Sequence, residues 1–253
     1  PVRIPMCPGL QLPVKPEAKD IIDPKRCPHR HLVGSLQHLS CNARPDASYA
    51  VGVLSRSLAC PTLDHWRAAR RVLAYLGTTK DLGIIFRHQR CSKHAVSPSV
   101  STTSDSDFAS CSTRHSTYGH LTCIGNNLVN WKSKLDRSKI SVSSCESELK
   151  GMTEASKDAF YTRNLLQELQ EPVQKAINLS ADDQPALKLC QNPVYHGRVK
   201  HLDISQHFLR FEFEKGKLDL TYVPTQDNVA DIMTKALPRP QFEHLRSKIL
   251  DAV

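Results

Sequence analysis

The stretch SVSSCESELKGMTEASKDA (residues 141–159) decides how the second half of this chain folds. Apolar residues recur in it at helical spacing, among them Leu149 and Met152, and they predict a long helix from about Ser144 to Leu169. Glu148 lies near the start of that helix with these apolar residues beside it. A carboxylate on an apolar element costs free energy unless it is paired or binds a cation, so this position is a candidate for chemistry.

Predicted strands surround this helix and together indicate one sheet. Gly125-Asn126-Asn127 has the composition of a hairpin turn between two of them. The predicted strands cover Ser104–Phe108, Tyr118–Ile124, Leu128–Trp131, Ala176–Ser180 and Leu218–Val223. Further helices are predicted after Asp183, over His201–Lys215, and from a cap at Asp227 through Leu237. Strands and helices in this order favour an α/β fold in which helices cover a mixed sheet.

The first hundred residues have a different pattern. Residues 1–26 are rich in proline and charge, which predicts an extended segment. Helices are then predicted over His29–Ser40, Asp46–Ala59 and Leu63–Leu76, followed by a closing strand over Gly83–Phe86. The third helix places Trp66, Ala69, Val72, Leu73 and Leu76 on one face, and Arg67, Arg70 and Arg71 on the other.

A polar, serine-rich stretch from His88 to Thr103 separates the two patterns. This composition is typical of linkers. We therefore predict a helical segment over residues 1–94, a linker over 95–103, an α/β domain over 104–240 and a tail helix over 241–253.

The positive charge lies entirely in the first part of the chain. Residues 1–100 carry 15 Lys and Arg against 6 Asp and Glu, a net charge of +9, whereas residues 101–253 carry 19 of each. A basic segment joined to a neutral one favours a protein in which the basic segment binds a polyanion and the neutral segment carries the catalytic residues. Ordinary solvated Lys and Arg on helix surfaces explain the excess equally well, so charge alone leaves both interpretations open.

Cysteine usage and hydropathy bear on the compartment. The nine cysteines are an odd number without Cys-x-x-Cys spacing, which favours reduced thiols inside the cell over a disulfide framework. No apolar run approaches the ~18 residues of a membrane span, so no membrane partner is predicted. The first residues lack a Met and an apolar signal core, which is typical of a chain cut from a longer one.

Acidic residues stand where several predicted elements begin or turn inward. The candidates are Asp105 or Asp107, Glu146 or Glu148, Asp182 or Asp183, and Asp231. Gathered at one end of a sheet, such carboxylates favour Mg²⁺ or Mn²⁺, and two such ions ~4 Å apart assist phosphodiester cleavage. Taken singly, each of these residues is better explained as a helix cap, and spacing alone does not decide.

Nucleophilic catalysis is disfavoured. The chain has no Gly-x-Ser-x-Gly elbow and no P-loop. His201 and His207 are interpreted as helix-surface or packing residues, because a lone histidine is weak evidence for catalysis.

These motifs together resemble the ribonuclease H of copia-type LTR retrotransposons. Residues 32–84 are similar to the stretch that joins the reverse transcriptase of that family to its ribonuclease H. The resembling segments of the second part are SDSDFAS (104–110), RHSTYGH (114–120), LVNWKSK (128–134), residues 141–159, residues 180–210 and residues 222–249. Any one of these motifs is weak alone, but their order along most of the chain is specific.

The resemblance implies a ribonuclease H fold, which is a five-stranded mixed sheet flanked by helices, preceded by a helical remnant of the reverse transcriptase thumb and connection. It implies cleavage of the RNA strand of RNA–DNA hybrids with two Mg²⁺ ions, or Mn²⁺ in their place. Carried over residue by residue, it assigns Asp105, Glu148, Asp182 and Asp231 as the catalytic, metal-binding carboxylates, in preference to Asp107 and Glu146.

The resemblance also implies partners and a location. Arg67, Arg70 and Arg71 would help to hold the nucleic acid, and the palm and fingers of the reverse transcriptase would lie upstream in the same polyprotein. The expected location is intracellular, in a cytoplasmic virus-like particle or in the nucleus.

The sequence departs from the family at three positions. Phe108 stands where Trp is usual, Pro185 replaces a small polar residue, and Asp183 replaces the Asn that follows the third carboxylate, which adds charge beside the expected metal site. The alternative function is a catalytically silent nucleic-acid-binding fragment of a truncated or domesticated element. All four carboxylates are present, which favours the enzyme, whereas the lack of a polymerase palm favours the fragment.

Overall fold

The computed structural model of the chain describes residues 1–87, 97–109, 111, 113–138, 140–192 and 203–253. The chain divides into two compact units. Unit 1 combines Pro1–Ile85 with Ile232–Val253, and unit 2 is Phe86–Asp231. Within the described residues, no helix combines the length and the apolar character that a membrane span requires.

Three helices precede four consecutive strands, and helices and strands are then interspersed to the end of the chain. The helices are α1 His29–Asn42, α2 Ser48–Ser55, α3 Leu63–Thr78, α4 Ser144–Glu168, α5 Gln184–Gln191, α6 Asp203–Glu214, α7 Asp231–Thr234 and α8 Arg239–Arg246. The strands are β1 Leu82–Gly83, β2 Val100–Asp107, β3 Thr117–Ile124, β4 Asn127–Leu135, β5 Ile177–Ala181, β6 Leu218–Tyr222 and β7 Asp251–Ala252.

Unit 2 contains a five-stranded mixed sheet in the order β4-β3-β2-β5-β6. Strands β2, β3 and β4 are antiparallel neighbours, whereas β5 runs parallel to both β2 and β6. Helices α4, α5 and α6 contact this sheet and each other. Their shared core includes Leu149, Met152, Ile177, Leu179, Leu209 and Leu218. This arrangement confirms the predicted fold class.

Helix α4 packs closely against the sheet at Gly151. A Cβ atom at this position would lie 3.4 Å from the carbonyl oxygen of Asp105 and 3.6 Å from the Cβ atoms of Ser106 and Tyr118. Ser143 caps the helix, because its hydroxyl accepts a hydrogen bond from the Glu146 N–H at 3.1 Å. The start of the helix is therefore fixed beside the middle strand of the sheet.

Unit 1 contains α1, α2, α3 and α8 together with the two-residue strands β1 and β7, which pair with each other. Helix α3 begins with a capping box in which the side chains of Thr62 and His65 each bond the backbone of the other. Its buried face includes Ala69, Val72 and Leu76.

Several predicted boundaries differ from the structure. The predicted linker 95–103 overlaps β2, which begins at Val100, and its residues 95 and 96 lie outside the described residues. The predicted cap at Asp227 is wrong, because Asp227 ends a short 3-10 turn and the next helix begins only at Asp231. His201 also lies outside the described residues, so α6 is described from Asp203.

The C-terminal region differs most from its prediction. The predicted α/β domain includes residues 232–240, but these residues group with residues 1–85, and apolar side chains of the two segments line one small cavity. The predicted tail helix over 241–253 is instead α8, which ends at Arg246, followed by strand β7. In the first part, the predicted helix over Asp46–Ala59 is shorter, since α2 ends at Ser55, and the closing strand is only Leu82–Gly83.

Candidate functional site

Three of the predicted carboxylates come together in unit 2, at the ends of β2 and β5 and the start of α4. One oxygen each from Asp105, Glu148 and Asp182 lies within 4.8 Å of the others. Asp105 and Glu148 are buried, and Asp182 is half-buried. Carboxylate oxygens at this spacing are the hard ligands that divalent cations such as Mg²⁺ prefer.

The parallel pairing of β2 with β5 brings two of these residues together. Thr103 is the register partner of Ser180, so two residues further along each chain Asp105 comes beside Asp182. Carboxyl ends of neighbouring parallel strands open at the same edge of a sheet, which makes this edge the natural place for a site.

Glu148 reaches the same edge from the second turn of α4. Its Oε1 accepts a hydrogen bond from the Ser106 N–H at 3.2 Å. The hydroxyls of Ser106 and Ser147 also bond each other. These two contacts, one from the carboxylate and one from the residue before it, both tie the helix to Ser106 of the strand and orient Glu148.

The electrostatics of Glu148 favour a bound cation. Burial raises the pKa of its carboxyl well above the ordinary value, and the negative charges of Asp105, Asp182 and Asp183 raise it further. The hydrogen bond from the Ser106 N–H acts in the opposite direction and lowers this pKa. Within the described part of the chain, its Oε2 is buried and accepts no hydrogen bond. A hard divalent cation would satisfy this oxygen and offset the repulsion, so the residues present fit such a metal.

The neighbouring acidic residues are used for helix capping. Oε2 of Glu146 accepts a hydrogen bond from the Val142 N–H at 2.6 Å, just before α4. Oδ1 of Asp183 accepts one from the Ala186 N–H at 2.7 Å and caps α5. The Asp183 departure from the family pattern is therefore compatible with a capping role. Asp107 is half-buried on β2 and is not one of the three grouped residues.

Asp231 is fully buried but is not a member of the group that Asp105, Glu148 and Asp182 form. Asn228 holds the loop before it against β2, because its Nδ2 donates to the Ser104 carbonyl at 3.2 Å. The Asn228 carbonyl accepts the Asp231 N–H, also at 3.2 Å. The loop that leads to Asp231 is therefore held at Ser104, the residue before Asp105. The Asp231 side chain itself is not part of the group.

The three arginines predicted to hold nucleic acid lie on α3, in unit 1. Arg67 and Arg70 are exposed, and Arg67 pairs with Asp64 at 3.1 Å. Arg71 is half-buried, and Leu73, predicted on the apolar face, has 48% of its surface exposed. The buried face of the helix is thus rotated relative to the prediction, and only two of the three arginines are fully open to solvent.

Sequence reasoning missed the residues that support the carboxylates. These residues are Ser106, Ser147 and Asn228. Their residue types do not by themselves indicate a catalytic site, and their role depends on contacts between distant parts of the chain. Gly151 carried a usable signal, because a glycine inside a long helix costs about 1 kcal/mol relative to alanine and indicates a close approach.

A second charged group joins α4 to the antiparallel strands. Oδ2 of Asp158 lies 2.9 Å from Nε2 of His120 and 3.2 Å from Nζ of Lys132. The hydrogen bond to His120 lowers the pKa of Asp158 to about 2, and the interaction with Lys132 adds to the shift. This group contributes to the stability of the helix–sheet packing.

Known proteins resemble most of this chain. No family model matches it. The chain is 36% identical over 251 residues to the Retrovirus-related Pol polyprotein from transposon RE2 of Arabidopsis thaliana, a match that covers 98% of the chain and 16% of that protein. It is 34% identical over 220 residues to the Retrovirus-related Pol polyprotein from transposon TNT 1-94 of Nicotiana tabacum, with 86% of the chain and 16% of that protein covered. The chain thus spans 16% of the length of these curated relatives.

Solved structures also show a likeness. The RNase H1 of the halophilic archaeon Halobacterium salinarum NRC-1 matches with a TM-score of 0.41 and 16% identity, over 53% of this chain and 93% of that one.

Proposed function

The chain belongs to the family of retrovirus-related Pol polyproteins from transposons, and from this premise we propose that its unit 2 is a ribonuclease H. The proposed reaction is endonucleolytic hydrolysis of the RNA strand in RNA–DNA hybrids. Two Mg²⁺ ions would assist it, and Mn²⁺ is the alternative metal.

The observation that carries this proposal is the group formed by Asp105, Glu148 and Asp182 at one edge of the mixed sheet. We propose these three carboxylates as metal ligands, with Asp231 as the fourth. When bound, the ions would activate a water and stabilise the leaving oxygen of the phosphodiester. The residues of the chain would hold and orient them, and the Ser106 N–H would keep Glu148 in place.

The test is a cleavage assay with the full chain and a hybrid labelled on its RNA strand, in Mg²⁺ and in EDTA. Asp182→Asn and Asp231→Asn should each lower the rate by more than about 100-fold, because even residues behind metal ligands cost 10–100-fold. The fold should persist, since neither change opens a core cavity. Wild-type cleavage by Asp182→Asn would remove this residue from the site.

Matched variants with the same change of charge separate the site from its surroundings. Asp105→Asn and Glu148→Gln should be far more damaging than Asp107→Asn and Glu146→Gln, whose residues lie outside the group. The reverse order within either pair would contradict the proposed site. A wild-type chain that binds the hybrid but never cuts it would establish the alternative, a silent nucleic-acid-binding fragment.

We further propose that α3 contributes to binding the hybrid through Arg67, Arg70 and Arg71. The net charge of +9 over residues 1–100 and the exposure of the first two side chains support this role. Replacing Arg67 and Arg70 by alanine should weaken binding and flatten the slope of log affinity against log salt by roughly 0.7–0.9 for each phosphate that is no longer bound. Arg71→Ala is tested separately, because this side chain is half-buried and its removal also affects packing.

Arg239→Ala is the matched control for the α3 variants. Arg239 is exposed and pairs with Glu243 within its own helix, as Arg67 pairs with Asp64. The Arg239→Ala variant should leave the slope of log affinity against log salt unchanged. Equal slopes for wild type, the α3 double variant and this control would exclude a binding role for the two arginines.

The remaining proposals concern partners and location. We propose that the reverse transcriptase palm and fingers of the same polyprotein assemble with this chain, and that it acts inside the cell, in a cytoplasmic virus-like particle or in the nucleus. Co-purification of a tagged chain with the upstream polypeptide would test the first. Fractionation of cells expressing the element would test the second.

A further inference from the structure

Unit 1 is built from two segments that are far apart in the sequence. Residues 1–85 supply α1, α2, α3 and β1, and residues 232–253 supply α8 and β7. The whole of unit 2 lies between them along the chain. The association of the two segments therefore rests on side-chain and backbone contacts within unit 1.

Apolar contacts form the first part of this association. Met6, Tyr49 and Ala50 from the first segment line one small cavity with Ile232 and Phe242 from the second. The ring of Phe242 also meets the ring of Tyr75 edge to face, with 5.8 Å between the centroids. The apolar residues of the second segment with at most 4% of their surface exposed are Ile232, Met233, Leu237, Phe242, Leu245 and Leu250.

A buried polar network forms the second part. Asp46 accepts two hydrogen bonds from Arg44, at 3.0 and 2.8 Å, and a further one from the Tyr75 hydroxyl. Nη1 of Arg246, in α8, donates to that same hydroxyl at 3.2 Å. Because Asp46 is 1% exposed and these partners satisfy its charge, removing Arg246 also disturbs a buried carboxylate.

Backbone pairing forms the third part. Leu82 pairs with Ala252 and Gly83 with Asp251 in the antiparallel strands β1 and β7. The Val253 N–H donates to the Asp81 carbonyl at 2.8 Å. The last residues of the chain thus bond directly to the end of the first segment.

We propose that residues 1–85 form a docking surface for the C-terminal segment 232–253 of the same chain, and that this contact within unit 1 holds the N-terminal fragment on the rest of the chain when the chain is cut between Arg87 and Ser97. The same contact means that removing residues 1–94 exposes the apolar face of α8 and does more than delete basic charge. This inference does not depend on the proposed nuclease activity.

The experiment uses the full chain with a specific protease site in place of residues 88–96. After complete cleavage, verified on a denaturing gel, the sample is run on gel filtration without denaturant at about micromolar concentration. The two fragments should elute together, at the position of the uncut chain. Separate elution of the two fragments would overturn the proposal.

Two variants test whether these contacts are responsible. The double change Phe242→Ala, Arg246→Ala should weaken the contact. After cleavage, half of the variant should be dissociated at a protein concentration at least about tenfold higher than that at which half of the cut wild type is dissociated. The control Arg239→Ala, Glu243→Ala removes an ion pair between an exposed arginine and a half-buried glutamate of the same helix and should not release the fragments. Fragments that stay together in the first variant would overturn the assignment of the contact to this segment.

A third chain guards against misfolding of the double variant. It ends at Leu250, so it lacks β7 and keeps α8 with its buried side chains. Circular dichroism of each uncut chain confirms that it is folded before cleavage. After cleavage, the two fragments of the chain ending at Leu250 should separate at a higher protein concentration than those of the wild type. Separation at the same concentration as in the wild type would exclude β7 from the contact.

Discussion

Replacing Glu148 by glutamine should stabilise unit 2 in the absence of metal and abolish its stabilisation by Mg²⁺. The reason is the repulsion within the carboxylate group. At an effective dielectric constant of about 20, two unit charges at the 4.8 Å limit of the group repel by about 3.5 kcal/mol. Glu148 faces two such neighbours, Asp105 and Asp182, and it is buried. Without a cation, the chain relieves this repulsion in part by protonating Glu148.

The direction of the pH dependence follows from the raised pKa of Glu148. A carboxyl whose pKa is higher in the folded than in the unfolded chain contributes stability below its unfolded value, which is near 4.5, and this contribution is lost as the pH rises through the folded pKa. The metal-free wild type should therefore lose stability as the pH rises above about 4.5 and through the raised pKa of Glu148. Glutamine cannot ionise, so the variant should be more stable at pH 8 by on the order of 1–3 kcal/mol.

Urea unfolding followed by tryptophan fluorescence measures this effect in unit 2. The chain has two tryptophans, so a Trp66→Phe background leaves Trp131 in β4 as the only reporter. Each chain is unfolded at pH 5 and pH 8, in EDTA and in MgCl₂. Mg²⁺ at ten times its dissociation constant should stabilise the wild type by about 1.4 kcal/mol and leave the variant unchanged.

Glu146→Gln is the control for this experiment, because it removes a carboxylate of equal burial outside the group. It should keep the response to Mg²⁺. If Glu148→Gln is less stable than the wild type at pH 8 in EDTA, or if Mg²⁺ stabilises both equally, the reasoning from charge repulsion is refuted.

Three further predictions concern the residues around the group, each measured by chemical unfolding. Asp183→Asn should keep the cap of α5 and leave stability within about 0.5 kcal/mol, whereas Asp183→Ala should cost about 1 kcal/mol; equal effects would contradict the capping role. Asp158→Asn should lower the unfolding free energy by about 1–2 kcal/mol at pH 7. Because the pKa of Asp158 is lowered to about 2, this difference should vanish as the pH falls from 3.8 towards 2, and a difference independent of pH would exclude the ion pair as its cause. Gly151→Ala should be neutral or stabilising by up to about 1 kcal/mol, since its new Cβ meets neighbours at 3.4–3.6 Å, whereas Gly151→Val should destabilise the packing against β2; equal destabilisation by both would contradict this spacing.

Local patterns in the sequence are sufficient for the main elements of unit 2. The sequence predicts helix α4 from about Ser144 to Leu169, and the helix extends over Ser144–Glu168, because its apolar residues repeat at helical spacing and Ser143 is a good cap. The hairpin of β3 and β4 follows from the Gly125-Asn126-Asn127 turn, where Gly125 adopts a φ of 58° that favours glycine. These signals lie within a few residues of the structure that they determine.

Long-range pairing leaves no such signal. Strands β1 and β7 have two residues each, and neither alternates in a way that marks a strand. The return of residues 232–253 to unit 1 depends on contacts such as that of Phe242 with Tyr75, whose partners cannot be paired from one sequence. Leu73 shows the same limit on a helix, because which of two adjacent apolar residues is buried depends on the neighbouring helices.

The acidic pairs show how such contacts select one residue from two. On a helix, residues 146 and 148 are about 200° apart, so only one can face the sheet edge, and Glu146 is engaged with the Val142 N–H before α4. Asp183 is engaged in the same way at the start of α5, which leaves Asp182 for the group. Asp105 and Asp107 lie on the same face of their strand, so only the pairing register of β2 with β5 decides which of them lies beside Asp182. The pairing of Thr103 with Ser180 brings Asp105 level with Asp182, and it would bring Asp107 level with residue 184, which already belongs to α5. The carboxylates left over by capping and register are therefore the three that meet.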